Sequence, residues 1–151
     1  MTTLESIMTR HVVTVKMDDS LETIKGIFER FRFHHVVVLD KCCVVGVITD
    51  RDLLMNLSPF VGKPFERTLD SASLRKRAHQ IMTREVVTAT AGMAAGDAAL
   101  LMLNNGISCL PVLDQIGACV GIVTWRDLLR WALEHLGDNA CPTILREHKA
   151  A

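Results

Sequence analysis

Residues 46–54 of the chain read Gly46-Val47-Ile48-Thr49-Asp50-Arg51-Asp52-Leu53-Leu54, and residues 121–129 read Gly121-Ile122-Val123-Thr124-Trp125-Arg126-Asp127-Leu128-Leu129. Six of the nine positions are identical in the two stretches. Each stretch starts with β-branched residues typical of a strand and then passes through Thr-x-Arg-Asp into the leucines of a helix. The chain therefore contains the same strand-to-helix unit twice.

The repetition extends beyond this unit. The block Ile7-Met8-Thr9-Arg10-His11-Val12-Val13-Thr14-Val15 returns as Ile81-Met82-Thr83-Arg84-Glu85-Val86-Val87-Thr88-Ala89, with seven of nine positions identical. Val38-Leu39-Asp40 returns as Val112-Leu113-Asp114 at the same spacing as this block. The Thr-x-Arg-Asp blocks are spaced one position further apart, because the turn at 114–118 is one residue longer than its counterpart. Matched blocks in the same order indicate an internal duplication.

Each copy predicts the order β-α-β-β-α. The predicted strands are 12–15, 36–39 and 44–49 in the first copy and 86–90, 110–113 and 119–124 in the second. The predicted helices are 21–31 and 51–57 in the first copy and 94–104 and 126–136 in the second. The apolar residues Leu21, Ile24 and Phe28 recur at three- and four-residue steps, as on one buried helix face. Because the strands are apolar on both faces, helices should cover the sheets, and the predicted fold class is α/β (α+β).

The segment between the copies contains Pro59, Gly62 and Pro64, which favour a loop over residues 58–70. Helical spacing resumes after it and predicts one helix over residues 71–82. The tail carries no motif that indicates a function. The predicted division is 1–70 for the first copy with its linker, 71–136 for the second copy and 137–151 for the C-terminal tail.

Composition and charge exclude several classes of protein. The 17 basic and 17 acidic side chains cancel, which argues against nucleic acid polymers or an anionic membrane as partners. No apolar run reaches the roughly 18–20 residues needed to span a bilayer, and the first residues lack the pattern of a secretory signal. The five cysteines form no CxxC pair, which suits neither a disulfide framework nor a zinc site. We expect a cytoplasmic protein.

The repeated Thr-x-x-Asp lies where each strand should end and a helix begin. The pairs are Thr49 with Asp52 and Thr124 with Asp127. One interpretation is a capping box, although Glu or Gln is the more usual second residue. Such a cap contributes about 1 kcal/mol and needs no ligand.

The other interpretation of the same residues is a site for a ribose phosphate. A helix N-terminus can hold phosphate, and a carboxylate one turn in can accept hydrogen bonds from ribose hydroxyls. Arg51 and Arg126, which lie inside the two blocks, can donate to phosphate oxygens. Capping and binding are compatible, so both interpretations stay open at this point.

The doubled Thr-x-Arg-Asp block, the Ile-Met-Thr-Arg that opens each repeat and the stretch Gly106-Ile107-Ser108-Cys109-Leu110-Pro111-Val112-Leu113-Asp114 resemble the CBS domain (cystathionine β-synthase type). The resemblance covers the chain to about residue 136. It implies a Bateman module, in which two tandem β-α-β-β-α motifs pack about a pseudo-twofold axis. It also implies that adenosine-containing ligands bind in two clefts between the motifs.

The resemblance further implies which residues bind the ligand. The residues expected to hold phosphate and ribose are Thr49, Arg51, Asp52, Thr124, Arg126 and Asp127. Those expected near adenine are Thr14, Val15, His34, His35 and Val36 in the first copy, and Thr88, Ala89, Ile107, Ser108, Cys109, Leu110 and Pro111 in the second. In this family the Asp of one motif commonly faces the base pocket of the other, and we expect that arrangement here.

The two copies differ at the start of their second strand. The second copy keeps the Gly-Ile-Ser-x-x-Pro pattern, whereas the first has Arg32, Phe33 and His34 in its place. His34 and His35 can stack on a base or contact phosphate, or they can simply be packed or solvated. A metal site is not expected, because neighbouring residues of a strand point to opposite faces. We predict unequal affinities, with the cleft that contains Ile107–Pro111 the more typical.

The function that follows is a non-enzymatic regulatory module. Its expected ligand is AMP, ADP or ATP, with S-adenosylmethionine, NAD or a cyclic dinucleotide as alternatives, and it would act on an unidentified target protein. The alternative is an interaction protein that forms a homodimer through the helical segments Leu53-Leu54-Leu57 and Leu128-Leu129-Ala132, with clefts that bind no adenine ligand. An enzyme ranks third, because no GxxxxGK[ST], HExxH or GxSxG motif occurs and the repeats occupy most of the chain. No catalytic cofactor or metal is expected.

Overall fold

The structure, a computed structural model, describes residues 1–136. The first repeat contains α1 (Leu4–Ile7), β1 (Thr14–Lys16), α2 (Leu21–Phe31), β2 (His35–Asp40), β3 (Cys43–Thr49) and α3 (Asp50–Asn56). A connecting segment contains α4 (Thr68–Ala72) and a 3-10 turn (Ser73–Arg75). The second repeat contains α5 (Ala78–Ile81), β4 (Ala89–Thr90), α6 (Ala95–Asn105), β5 (Cys109–Leu113), β6 (Cys119–Thr124) and α7 (Trp125–Leu136). The predicted tail, 137–151, lies outside the described residues.

Each repeat forms its own three-stranded sheet, in the orders β1-β2-β3 and β4-β5-β6. In both sheets the first strand runs parallel to the second, and the third is antiparallel to it. The registers match as well, because His35 pairs with Thr49 in one sheet and Cys109 pairs with Thr124 in the other. The mixed α/β class and the doubled β-α-β-β-α order are confirmed.

Three predicted elements are wrong in their extent. The first strands begin at Thr14 and Ala89, so the preceding valines at 12–13 and 86–87 lie outside the sheets. The helix predicted over 71–82 is broken, because the chain extends at Lys76 and Arg77 to pair with the start of α2. There the Leu21 N–H donates to the Lys76 carbonyl over 2.9 Å, and Ser20 bridges to Arg77. This long-range pairing outweighs the local helical spacing.

The short helices that open the repeats are exchanged between the two hydrophobic cores. Leu4 of α1 is fully buried in the core of the second repeat, where it packs with Ala95 and Leu110. Conversely, Ala78 of α5 and the adjacent Met82 are buried in the core of the first repeat. The two motifs therefore interlock, and neither core is complete without a residue of the other repeat.

The exchange explains why both copies keep a methionine and a glycine. A Cβ added at Gly121 would lie 2.5 Å from the Met8 sulfur, and one at Gly46 would lie 2.5 Å from the Met82 sulfur. Beside these contacts, backbone bonds join Thr9 to Ile122 and Thr83 to Val47 in both directions, at 2.9–3.1 Å. The Ile-Met-Thr-Arg block of each repeat thus contacts the Gly-x-x-Thr block of the other repeat.

The helices that follow the third strands are amphipathic. Leu53 and Leu128 are buried in the cores, whereas Leu54 and Leu129 are exposed. The prediction that Leu53 and Leu128 belong to a pairing face is therefore wrong, since their side chains point inward. Among the described helices, none is both long enough and apolar enough to cross a membrane.

Candidate functional site

The Thr-x-x-Asp residues form the predicted helix caps. The backbone N–H and the hydroxyl of Thr49 both donate to Asp52 Oδ2, over 2.8 and 2.7 Å, and the Asp52 N–H donates to Thr49 Oγ1 over 3.1 Å. Thr124 and Asp127 make the same two bonds to Oδ2, at 2.8 and 2.7 Å. The bonds that the two carboxylates accept from these threonines all end on Oδ2, so Oδ1 of each aspartate can accept a hydrogen bond from a ligand. The capping interpretation is correct and does not compete with binding.

The cap of α7 lies in a cleft of about 220 Å³, called the first cleft from here on. Two helix-cap residues of the second repeat, Thr124 and Asp127, line it together with residues of the first repeat. The complete lining is Thr9, His11, Val12, Val13, Arg32, Phe33, His34, His35, Ile122, Thr124, Trp125, Arg126, Asp127 and Arg130. The first cleft therefore combines the cap of one repeat with the apolar pair Val12 and Val13 of the other, and both repeats contribute basic side chains.

The cap of α3 lies in a cleft of about 200 Å³, called the second cleft. Thr49 and Asp52 of the first repeat here face residues that precede and open the strands of the second. The complete lining is His35, Val47, Thr49, Asp52, Thr83, Glu85, Val86, Val87, Gly106, Ile107, Ser108 and Cys109. The two clefts are thus pseudo-symmetric, and each is built across the two motifs.

A central cavity of about 400 Å³ lies between the clefts. It shares His34, His35, Trp125 and Arg126 with the first cleft, and His35, Thr49, Gly106 and Ser108 with the second. Arg51 and Asp50 line it as well. Because it adjoins both caps and contains arginines from both repeats, a phosphate extending from either cleft would meet basic side chains here.

His35 joins the two repeats at this centre. Its Nε2 lies 2.8 Å from Ser108 Oγ, and its side chain lines both clefts and the central cavity. Burial lowers the pKa of His35 below its ordinary value, although the nearby Asp50 carboxylate acts against this. A neutral imidazole is therefore favoured at neutral pH, and it links the motifs by a hydrogen bond rather than by charge.

His34 pairs with the acid that begins α3. Its Nδ1 lies 2.6 Å from Asp50 Oδ2. Partial burial pushes the pKa of Asp50 upward, but the hydrogen bond and charge of His34 outweigh this, and the net pKa lies below the ordinary value. Since His34 precedes β2, strand alternation does not separate it from His35, and both rings line the first cleft. The expectation that they point apart is wrong.

The structure brings most of the predicted residues to these spaces, but not all of them. The predicted residues that line a cleft or the central cavity are His34, His35, Thr49, Arg51, Asp52, Ile107, Ser108, Cys109, Thr124, Arg126 and Asp127. The predicted residues buried in the cores instead are Val15, Val36, Ala89, Leu110 and Pro111. Thr14 and Thr88 line neither cleft.

The five buried residues lie within the strands β1, β2, β4 and β5, on faces that pack into the cores. The strands β1 and β4 begin at Thr14 and Ala89, two and three residues later than predicted. The valine pairs at 12–13 and 86–87, which precede the strands, line the clefts in place of the predicted strand residues. The sequence contained a signal for them, since the apolar pair follows the repeated Ile-Met-Thr-Arg in both copies.

The site shows no metal-binding geometry. Within residues 1–136, no group of three or more His, Cys, Asp or Glu side chains is placed to hold a metal ion. Cys109, in the second cleft, is also poorly suited to act as a nucleophile. Burial raises the pKa of its thiol to about 12, so the thiolate is scarcely populated at neutral pH.

The two repeats match the same protein family. The family model described as CBS domain matches residues 4–59 and again residues 78–134. The chain belongs to the CBS domain family. A CBS domain-containing protein of Dictyostelium discoideum is 33% identical over 128 residues, which cover 83% of this chain and 88% of that protein. The resemblance seen in the repeated motifs is therefore confirmed.

Solved structures of CBS domain pairs share the fold. The CBS domain pair of protein MJ0100, in complex with 5′-methylthioadenosine and S-adenosylmethionine, matches with a TM-score of 0.74 and 26% identity, over 89% of this chain and 98% of that one. CBSX2 in complex with AMP matches with a TM-score of 0.72 and 27% identity, over 88% of this chain and 97% of that one. The prediction that the two CBS motifs of this chain form a pair is thus confirmed.

Proposed function

We propose that this CBS pair is a non-catalytic regulatory module that binds an adenosine-containing ligand, AMP, ADP or ATP, in its clefts and acts on a separate protein. The observation that carries the proposal is the construction of each cleft across the repeats. The Thr and Asp of one helix start face the strand-opening residues of the other motif. The similar pairs support the ligand class, since one is described with AMP and another with 5′-methylthioadenosine and S-adenosylmethionine.

The side chains of the first cleft match the parts of a nucleotide. Asp127 Oδ1 is placed to accept hydrogen bonds from ribose hydroxyls, since Oδ2 is held by Thr124. Val12 and Val13 supply an apolar surface for the base. Arg126 lies where the cleft adjoins the central cavity and can donate to phosphate.

A ligand in either cleft would contact both repeats at once. Its ribose would be held by one motif and its base by the other, so binding would favour the arrangement in which the two motifs fit the ligand. A tenfold preference for that arrangement shifts its equilibrium by about 1.4 kcal/mol. A partner protein would respond to this change in the arrangement of the motifs, and no reaction catalysed by the chain is needed.

A thermal-shift panel tests the proposal. The ligands are AMP, ADP, ATP, S-adenosylmethionine, NAD and a cyclic dinucleotide, with GMP as the comparison for the base. A ligand at 100 times its dissociation constant adds about 2.7 kcal/mol to the unfolding free energy. At about 2–4 °C per kcal/mol for a chain of this size, the midpoint should rise by roughly 5–11 °C. The absence of any shift with every adenosine ligand would contradict the proposal.

The chain offers a matched control for the aspartates. Asp70 also caps a helix, since its Oδ2 accepts from the Arg67 N–H over 2.8 Å, but it lines neither cleft. The double variant Asp52→Ala and Asp127→Ala should lose the ligand-induced shift. Asp70→Ala should keep the shift while losing a comparable cap. Loss of the shift in both proteins would mean that the variants act through stability alone.

The alternative, a dimerising interaction protein, is favoured by one specific observation. Leu54 and Met55 on α3 are 71% and 78% exposed, and Leu129 and Leu133 on α7 are 49% and 54% exposed. Such exposed apolar residues are typical of an interface. Analytical ultracentrifugation tests it, because Leu54→Asp with Leu129→Asp should convert a dimer to a monomer. Dimerisation is compatible with ligand binding, so this alternative replaces the first proposal only if no adenosine ligand binds.

A further inference from the structure

The first cleft is basic. Three arginines line it, Arg32, Arg126 and Arg130, against one carboxylate, Asp127, which leaves a formal charge of +2 when the histidines are neutral. The Arg130 guanidinium lies 3.9 Å from Asp127 Oδ1 and is largely exposed, so it can turn toward a ligand. Arginine is permanently charged, so the cleft stays basic whatever the protonation of its histidines.

The second cleft is acidic. Its described lining contains two carboxylates, Asp52 and Glu85, and no lysine or arginine, which gives a formal charge of −2. Glu85 is exposed at the rim, beside the valine pair at 86–87. An anionic ligand would therefore meet a net negative charge in this cleft and a net positive charge in the first.

Because the two repeats are pseudo-symmetric, the charges of the two clefts can be compared at equivalent positions. The matching strand registers fix which residues of the two repeats are equivalent. The first cleft is lined by His11, Arg32, His34 and Arg130, whose equivalents are Glu85, Gly106 and Ser108 in the lining of the second cleft and Met55 on α3, outside that lining. With neutral histidines, three of these four differences make the first cleft the more basic, so the contrast does not depend on one residue.

The arginines of the central cavity do not remove the difference in charge between the two clefts. Arg51 and Arg126 both line it and are equivalent in the two repeats. The residue before each differs, because Asp50 precedes Arg51 whereas Trp125 precedes Arg126. The Asp50 carboxylate adds negative charge beside Arg51, while the Arg126 guanidinium lies over the Trp125 ring at 5.6 Å. Phosphate is again favoured on the side of the first cleft.

We propose that the two clefts take different adenosine ligands: the first a 5′-phosphorylated one such as AMP, and the second one without net negative charge, such as 5′-methylthioadenosine. This assignment rests on the proposed function and adds the chemical class of ligand for each cleft. It keeps the predicted inequality of the clefts but places the tight AMP site in the cleft that lacks Ile107, Ser108 and Cys109, since that cleft is the basic one. The protein would then respond to two adenosine compounds together rather than to two copies of one.

Isothermal titration with AMP and 5′-methylthioadenosine tests the assignment. AMP should show one tight site, whose affinity falls with added salt, and a second site about tenfold weaker. Protein saturated with AMP at the tight site should still bind one equivalent of 5′-methylthioadenosine, with little dependence on salt. Equal affinity of AMP for both clefts, or exclusion of 5′-methylthioadenosine once the tight site is filled, would overturn the assignment.

Exposed charges at the rims allow substitutions that leave the helix caps intact. Two unit charges about 8 Å apart in water change an equilibrium constant roughly twofold. The double charge of AMP doubles this energy and salt screens part of it, so we expect about threefold effects. Arg130→Met should weaken the tight AMP site about threefold, and Arg75→Met, at a position outside both clefts, should not. Glu85→Gln should strengthen the weak AMP site, with Glu22→Gln on α2 as its control.

The outcomes separate this assignment from the proposed function. If the wild-type protein binds neither compound, the assignment fails; the proposed function fails with it only if the thermal-shift panel also shows no shift with any adenosine ligand. If both compounds bind but the rim variants act no more than their controls, the charge assignment alone is overturned.

Discussion

Replacing Gly121 by alanine should destabilise the protein, because the new methyl group would meet the exchanged segment of the first repeat. The added Cβ would lie 2.5 Å from Met8 Sδ, 3.0 Å from Met8 Cγ and 3.2 Å from the Thr9 carbonyl oxygen. The methionine sulfur can move, but the backbone carbonyl is held by its bond from the Ile122 N–H, at 3.0 Å. Overpacking of this kind costs about 1–3 kcal/mol.

Part of this cost is offset in the unfolded chain. Alanine restricts the unfolded state more than glycine does, which stabilises a protein by about 0.4–1 kcal/mol where the native backbone allows it. A net loss of about 1–2 kcal/mol is therefore expected for Gly121→Ala, or roughly 2–8 °C in the midpoint of thermal unfolding. Urea denaturation followed by far-ultraviolet circular dichroism measures it.

A double-mutant cycle with Met8→Ala separates the contact from other effects. That substitution removes the two side-chain atoms nearest to the new Cβ and leaves the 3.2 Å contact with the Thr9 carbonyl oxygen, so Gly121→Ala should cost clearly less in its background. The coupling between the two sites should be about 1 kcal/mol. Gly26→Ala is the matched control, because nothing lies within 4 Å of its added Cβ and the helix α2 should gain about 0.5–1 kcal/mol. Additive effects at residues 8 and 121 would refute the exchange of helices between the cores.

Three further predictions concern single side chains. Burial lowers the pKa of His35, so the unfolded chain binds a proton more readily than the folded protein; stability should decline as the pH falls below about 6.5, and less so in His35→Gln. If the stability of that variant declines by the same amount, groups other than His35 cause the decline. The buried Cys109 thiol, with its pKa raised to about 12, should resist N-ethylmaleimide while the exposed Cys42 and Cys43 react, as peptide mass spectrometry of the folded protein would show; early labelling of Cys109 would contradict its placement. Thr49→Ala should cost about 1 kcal/mol through loss of the cap, and Thr49→Ser should restore it; an equal loss in both variants would show that the methyl group matters instead.

The order of strands and helices could be predicted from the sequence because the duplication presents each pattern twice. Leu21, Ile24 and Phe28 mark one helix face, and the block around Thr49 marks a strand end and a helix start. The same elements recur in the second repeat, so an ambiguous signal in one copy is supported by the other. The caps of α3 and α7 followed from the Thr and Asp residues alone.

The exchange of the short helices was not predictable from local patterns. The four residues of α1 are too few to show a helical period, and the burial of Leu4 depends on contacts with residues of the other repeat, far along the chain. The broken helix at Lys76 has the same origin, since its backbone pairs with the distant Leu21. The pattern of residues in a short stretch of sequence does not show non-local contacts of this kind.

The site was predictable in its polar residues and less so in its apolar ones. Thr124 and Asp127 carry a pattern tied to the helix start, so their position does not depend on where the strand begins. Val15 was assigned to the site through the family resemblance, but in the three-residue strand β1 its side chain is buried in the core while those of Thr14 and Lys16 are exposed. The sequence contained a signal for the charge contrast that our predictions did not use, since His11 against Glu85 is one of the two mismatches between residues 7–15 and 81–89.

A crystal structure of the protein with AMP tests the central claim most directly. The account predicts AMP in the first cleft, with its ribose hydroxyls on the Asp127 carboxylate of one repeat and its base against Val12 and Val13 of the other. AMP bound with ribose and base on the same repeat, or on the exposed faces of α3 and α7 with both clefts unchanged, would contradict it.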